Sequence, residues 1–182
     1  MAKKTRDFSD ADFSAYSSTH LLYEMHMLVG CASLFGCDIL ASDSLTVWAF
    51  SNSRVESFAI HVRNLIDFLY PRGRPCDTDV TAADFMPAGT ELEPISPTLQ
   101  AARRRADKEI AHLTTSRLED GDPGKLWHVS LVHELFSVLR EFVDAAMPTR
   151  LGTDVREFIQ GGGAQKWAQS AEREKEGNSV TH

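Results

Sequence analysis

The feature that most constrains this chain is a helical repeat of apolar residues. Apolar side chains spaced three and four positions apart fall on one face of an α-helix. The repeat occurs in four segments, near residues 17–35, 53–70, 96–113 and 122–147. No segment shows the sustained alternation typical of an amphipathic strand. Because a helix with one apolar face needs partners to bury it, the sequence predicts an all-α, antiparallel four-helix bundle.

Start and stop signals bound the four predicted helices. Residues that can cap a helix N-terminus precede the segments: Ser17 or Ser18, Ser53, Ser96 and Asp122. Ser53 and Glu56 have the S-x-x-E spacing of a capping box. Pro97 follows Ser96 and suits the first position of a helix. The stretch CDILASDSLTVWAF, between the first two helices, fits either a loop or a short helix.

Proline and glycine divide the rest of the chain. They are frequent in residues 71–95, which predicts a long loop between helices two and three, with room for one short helical turn. LGTDVREFIQ can form a short helix, and the glycines at 161–163 break the pattern after it. We therefore predict an N-terminal arm over 1–16, a helical bundle domain over 17–150 and a partly disordered C-terminal tail over 151–182.

Composition narrows the classes of function. The formal net charge is −7, which argues against non-specific binding of nucleic acid but leaves room for a local basic strip. No signal peptide is visible and no apolar run is long enough to span a membrane. The three cysteines lack zinc-knuckle spacing, so buried or reduced thiols are expected. These features predict a cytoplasmic protein without membrane contact.

The stretch RRRADKEIAHLT, on the third predicted helix, contains arginine and histidine side chains that are suited to catalysis. Arg105 and His112 are seven residues apart and so project in nearly the same direction, at the flank of the buried stripe. A neutral imidazole can take a proton from a hydroxyl, and a guanidinium can neutralise charge on a phosphate. Equally, a histidine at a flank can pack against a neighbouring helix and bond a carboxylate or carbonyl. The spacing alone leaves both interpretations open.

Arg105-x6-His112 on a late helix of a bundle resembles the R-x4-6-H motif of the HEPN superfamily, at the upper limit of its spacing. The resemblance covers about residues 17–147. It implies a HEPN-like bundle and a possible metal-independent ribonuclease of a toxin or phage-defence type. It also implies a homodimer whose protomers share the site, RNA as the ligand, and an antitoxin or defence protein as a possible partner. Ala106 stands where the family commonly has a polar residue.

Other residues complete the predicted site. Lys108 would add positive charge and Glu109 would orient the imidazole, while His61 and Asn64 share a face of helix two and could line the same cleft. Glu109-x-x-His112 has the spacing of a di-iron motif, but no second copy occurs, so no metal or other cofactor is predicted. The alternative function is a non-catalytic helical module that binds a partner protein.

Overall fold

The computed structural model describes residues 8–35, 43–73, 76, 78–109, 127 and 130–162. The helices are α1 (Asp10–Tyr16), a π turn (Ser17–Leu21), α2 (Leu22–Ser33), α3 (Ser44–Leu69), α4 (Pro97–Glu109), α5 (Ser130–Ala145) and α6 (Thr153–Gln160), with a 3₁₀ turn at Ala82–Asp84. Within these ranges there is no β-strand, so the all-α prediction is confirmed. Because α1, the π turn and α2 are continuous, the described residues form five helices and not four.

The first helix begins about two turns before its predicted start. Ser9 is the N-cap, and it forms a capping box with Asp12 in which each residue's side chain accepts a hydrogen bond from the other's backbone N–H. Ser17 has helical backbone angles and donates its hydroxyl to the Ser14 carbonyl, 2.8 Å away. The predicted cap at Ser17 or Ser18 is therefore wrong, and residues 10–16 of the predicted arm are helical.

The helix α3 also starts earlier than predicted. Asp43 caps it by accepting a hydrogen bond from the Thr46 N–H at 2.8 Å. Residues 44–50 of the stretch that fitted either a loop or a helix are therefore helical. Ser53 lies inside α3 and donates its hydroxyl to the Ala49 carbonyl, so the predicted capping box of Ser53 and Glu56 is wrong.

The core is built around the C-terminal half of α3, on which α2, α4 and α5 pack. Phe58, Val62 and Leu65 of α3 are fully buried there. The helix α4 starts as predicted, because the hydroxyl of Ser96 accepts a hydrogen bond from the Leu99 N–H at 3.1 Å. Residue 63 of α3 contacts residue 107 of α4, and residue 70, just after α3, contacts residue 103, so the two helices are antiparallel.

The domain continues past its predicted end at residue 150. The side chains of Leu151, Val155 and Ile159 are buried, so α6 belongs to the core and not to a loose tail. Gly152 donates its N–H to the Ser17 hydroxyl at 2.8 Å, and a Cβ on Gly152 would lie 2.1 Å from the hydroxyl oxygen of Ser18. A glycine is needed for this close approach. The described part of the chain has no helix that is both long and apolar enough to cross a membrane.

Candidate functional site

Arg105 is positioned by the buried stripe of α4. Leu99, Ala102 and Ala106 of that stripe are buried against the core. Arg105 lies at one flank of the stripe, half-buried, and its guanidinium carbon is 4.6 Å from the centre of the Trp127 ring. Trp127 is itself 7% exposed and packs edge-on against Phe58 at 6.0 Å. The cation–π contact holds the guanidinium at the edge of the core while leaving its positive charge in place.

The structure describes only some of the other residues predicted for the site on α4. Lys108 is exposed on α4. His112 lies outside the described residues, as does the side chain of Glu109. The side-by-side projection of Arg105 and His112 therefore stays a prediction.

The two predicted supporting residues on α3 converge on a carboxylate of α2. The Oε2 atom of Glu24 lies 2.7 Å from His61 Nδ1 and accepts a hydrogen bond from Asn64 Nδ2 at 3.2 Å. His61 is buried, and the Tyr23 ring meets it edge-on at 5.8 Å between centres. Carboxylate contact fixes the orientation of an imidazole. Because Glu24 is 37 positions from His61, no local sequence pattern predicts this pairing.

Arg103 lies on the flank of α4 opposite Arg105, since two residues turn a helix by about 200°. It donates a hydrogen bond to the Tyr70 carbonyl at 2.7 Å, just beyond the C-terminus of α3. Cations stabilise this end of a helix because the last carbonyls carry partial negative charge. The adjacent arginines of RRR thus do not form one basic patch in this structure.

An ion-pair cluster joins α3, α4 and the turn after α3. Arg63 Nε is 3.5 Å from Oδ2 of Asp67, its i, i+4 neighbour, but it lies closer, at 2.9 Å, to Asp107 Oδ1. Arg72 Nη1 contacts the other oxygen of Asp107 at 2.5 Å. The hydrogen bond from Arg72 to Asp107 is the largest contribution that raises the pKa of Arg72. Pairs this exposed contribute about 0 to 1 kcal/mol each, so the cluster positions charge more than it stabilises the fold.

An open groove of about 740 Å³ runs beside this cluster. One wall comes from the first helix and includes Tyr16 and His20, whose rings are 4.8 Å apart. The C-terminal part of α3 and the turn after it add Arg63 and Arg72 to the lining. Partial burial, followed by the negative charge of Glu24, raises the pKa of Tyr16. Sequence reasoning missed the Tyr16–His20 wall because it predicted an irregular arm up to residue 16.

Comparisons with known proteins leave the site to be interpreted from its own geometry. No protein-family model, curated protein or solved structure matches the chain. Among the described residues, no group of three or more histidine, cysteine or acidic side chains could hold a metal ion.

Proposed function

We propose that this protein is a HEPN-like, antiparallel helical bundle that cleaves RNA in the cytoplasm without a metal. In this proposal Arg105 binds the scissile phosphate and His112 is the general base. Lys108 adds charge at the same surface, and Glu109 orients the imidazole. A homodimer would bring two copies of the motif to one groove, and an antitoxin or defence protein would be its partner.

The observation that carries this proposal is the position of Arg105. Its guanidinium is packed against the Trp127 ring at the edge of the core, beside partly exposed surface. Holding a guanidinium in place before the ligand arrives lowers the cost of ordering it on binding, and a planar guanidinium suits two phosphate oxygens at once. His61 and Asn64 stay proposed lining residues of the cleft, and their contacts with Glu24 fix the orientation of both side chains.

The proposed reaction uses the RNA as its own nucleophile. His112 takes the proton of a 2′-hydroxyl, whose oxygen then forms a bond to the adjacent phosphorus as the bond from phosphorus to the 5′-oxygen breaks. The 5′-oxygen leaves with a proton from water. Arg105 offsets the negative charge that grows on the phosphate oxygens. The products are a 2′,3′-cyclic phosphate and a 5′-hydroxyl.

The test is RNA cleavage in the presence of EDTA by the wild-type protein and by His112→Ala. We expect the wild type to produce 2′,3′-cyclic phosphate ends. We expect His112→Ala to be slower by roughly 100-fold or more, since general-base catalysis typically contributes 10²- to 10⁴-fold. His133→Ala, which removes an exposed histidine from α5, is the matched control and should cleave like the wild type. Equal rates for His112→Ala and His133→Ala would contradict the proposal.

A second candidate, a non-catalytic module that binds proteins, is favoured by the first half of α3. The side chains of Leu45 and Trp48 are 71% and 66% exposed and lie one turn apart. Large apolar side chains grouped on one exposed helix are typical of protein contact surfaces. We propose that a second copy of the chain covers this surface, because a two-fold axis pairs a patch with itself.

The dimer proposal predicts a loss of self-association in Trp48→Glu. Placing a carboxylate in an apolar interface removes buried area and leaves a charge to be desolvated. We expect the dissociation constant measured by sedimentation to rise at least tenfold. Thr46→Glu changes an exposed residue on the same turns of α3 and should leave association unchanged. A monomeric wild-type protein, or equal association of the two variants, would contradict a dimer through this surface.

A further inference from the structure

The groove between the first helix and the end of α3 has a local excess of positive charge at one end. Among the described residues, Arg63, Arg72 and Arg103 meet there with two carboxylates, Asp67 and Asp107. Three positive charges against two negative charges leave one positive charge. The side chains of Arg63 and Arg72 are 42% and 47% exposed, whereas that of Arg103 is 14% exposed. The two exposed guanidinium groups therefore carry the excess charge at the groove surface.

Two polar atoms in this cluster have unmet hydrogen-bonding capacity. Arg63 Nε and Asp67 Oδ1 are buried atoms without a hydrogen-bond partner in the described part of the chain. Arg63 Nε makes only ionic contacts, and Asp67 Oδ1 lies 3.4 Å and 3.6 Å from Arg72 and Arg103. Unsatisfied polar atoms are rare in folded proteins and call for an additional partner. Arg63 lines the groove, so an anion bound there can accept a hydrogen bond from its guanidinium, whereas Asp67 Oδ1 needs a donor, which the neighbouring Arg72 and Arg103 can supply.

Asp107 holds the two guanidinium groups next to each other. One of its oxygens contacts Arg63 and the other contacts Arg72, at 2.9 Å and 2.5 Å. Asp107 belongs to α4 and does not itself line the groove. Each guanidinium has five N–H donors, and one contact with Asp107 leaves donors for a ligand. Adjacent guanidinium groups fixed in this way suit a single carboxylate, which can accept from both.

The rest of the groove selects against polyanions and carries two aromatic rings. Its lining also includes Glu24, which is bonded to His61 and Asn64, and Asp79, which accepts a hydrogen bond from the Cys76 N–H at 2.7 Å. These negative charges would repel a chain of phosphates. The Tyr16 and His20 rings are tilted by 46° to each other and present aromatic faces on the other wall. A volume near 740 Å³ is within the range of roughly 300 to 1,000 Å³ found for small-molecule sites.

We propose that this groove binds a small aromatic monocarboxylate, with its carboxylate between Arg63 and Arg72 and its ring against Tyr16 and His20. The site is separate from the proposed ribonuclease site. Asp107 is the α4 residue that contacts both exposed arginines of the cluster, and it projects about 200° around the helix axis from Arg105. Ligand binding in the groove and RNA cleavage can therefore be lost independently.

The test is equilibrium binding of naphthalene-2-carboxylate to the full-length protein at low salt, beside the neutral naphthalene-2-carboxamide. We expect the carboxylate to bind at least tenfold more tightly than the amide, because only the carboxylate can use the excess positive charge. Arg72→Gln should weaken carboxylate binding at least tenfold and leave RNA cleavage unchanged. Arg140→Gln removes an exposed arginine from α5 and should bind like the wild type.

Tyr16→Leu tests the aromatic contact separately from the charge contact, because Tyr16 lies on the first helix and the arginines lie on or just after α3. We expect it to weaken binding of both probes several-fold while Arg72→Gln weakens only the carboxylate. The proposal is overturned by the absence of saturable binding, by equal binding of the carboxylate and the amide, or by equal binding to Arg72→Gln and Arg140→Gln. Binding unchanged in Tyr16→Leu would likewise overturn it.

Discussion

Replacing Phe85 with alanine is expected to lower the free energy of unfolding by about 3 to 5 kcal/mol, the usual cost of truncating a buried phenylalanine. Phe85 is fully buried, and its ring meets those of Phe13, Phe68 and Phe142 edge-on, at 5.4 Å, 5.8 Å and 6.0 Å between centres. Its carbonyl also accepts a hydrogen bond from the Met147 N–H at 2.9 Å. One side chain thus links the first helix, α3, α5 and the long connection.

Urea unfolding measures this effect, and Phe50→Ala is the matched control. Phe50 is 47% exposed on α3, so its truncation should cost about 0.5 kcal/mol or less. A domain of this size typically has 5 to 15 kcal/mol of stability, so Phe85→Ala removes a large share of it. Similar losses for the two variants would show that the connection over residues 71–95 is not anchored in the core.

Replacing Arg105 with alanine is expected to slow RNA cleavage by about 100- to 1,000-fold, the usual cost of losing one donor that stabilises transition-state charge. The substitution also removes the cation–π contact with Trp127, which is worth about 0.5 to 2 kcal/mol, so rates should be compared well below the melting temperature. Arg105→Lys keeps the charge but loses the planar fork of donors, and we expect an intermediate rate.

Arg104→Ala is the control for Arg105→Ala. Arg104 is exposed, neighbours Arg105 on α4 and carries the same charge, but it projects about 100° away. A general loss of positive charge would slow the two variants equally. Only a specific role for the Arg105 guanidinium slows Arg105→Ala alone.

The parts of the fold that could be predicted from the sequence depend on interactions between residues that are close together in the chain. The Ser96-Pro97 start of α4 and the stripe of Leu99 and Ala102 depend on residues within one or two turns of each other. The short turn expected in the long connection is present as the 3₁₀ turn at Ala82–Asp84. The short helix suggested by LGTDVREFIQ is present as α6.

The errors arose where two local patterns compete. Ser53 and Glu56 match a capping box, but a capping residue needs an extended backbone before the helix, and Asp43 already provides the start. Once α3 is continuous through Ser53, its hydroxyl bonds the carbonyl four residues back. The S-x-x-E spacing alone therefore does not show where the helix begins.

The candidate sites depend on contacts between distant parts of the chain. Glu24 meets His61 across 37 positions, and Arg63 meets Asp107 across the α3–α4 interface. Such pairings follow from how helices rotate against one another, which one amphipathic pattern leaves unspecified. The polar character of Arg105 and its flank position could be predicted, but its partner Trp127 could not.

The most direct test of the proposed function is the rate of RNA cleavage in EDTA by the wild type, Arg105→Ala, His112→Ala and the double variant. Residues that act as one catalytic unit have strongly non-additive effects. We predict that the double variant is no slower than the slower single variant, with all three at least about 100-fold below the wild type. A wild type that leaves RNA intact, or single losses that multiply in the double variant, would contradict a shared site.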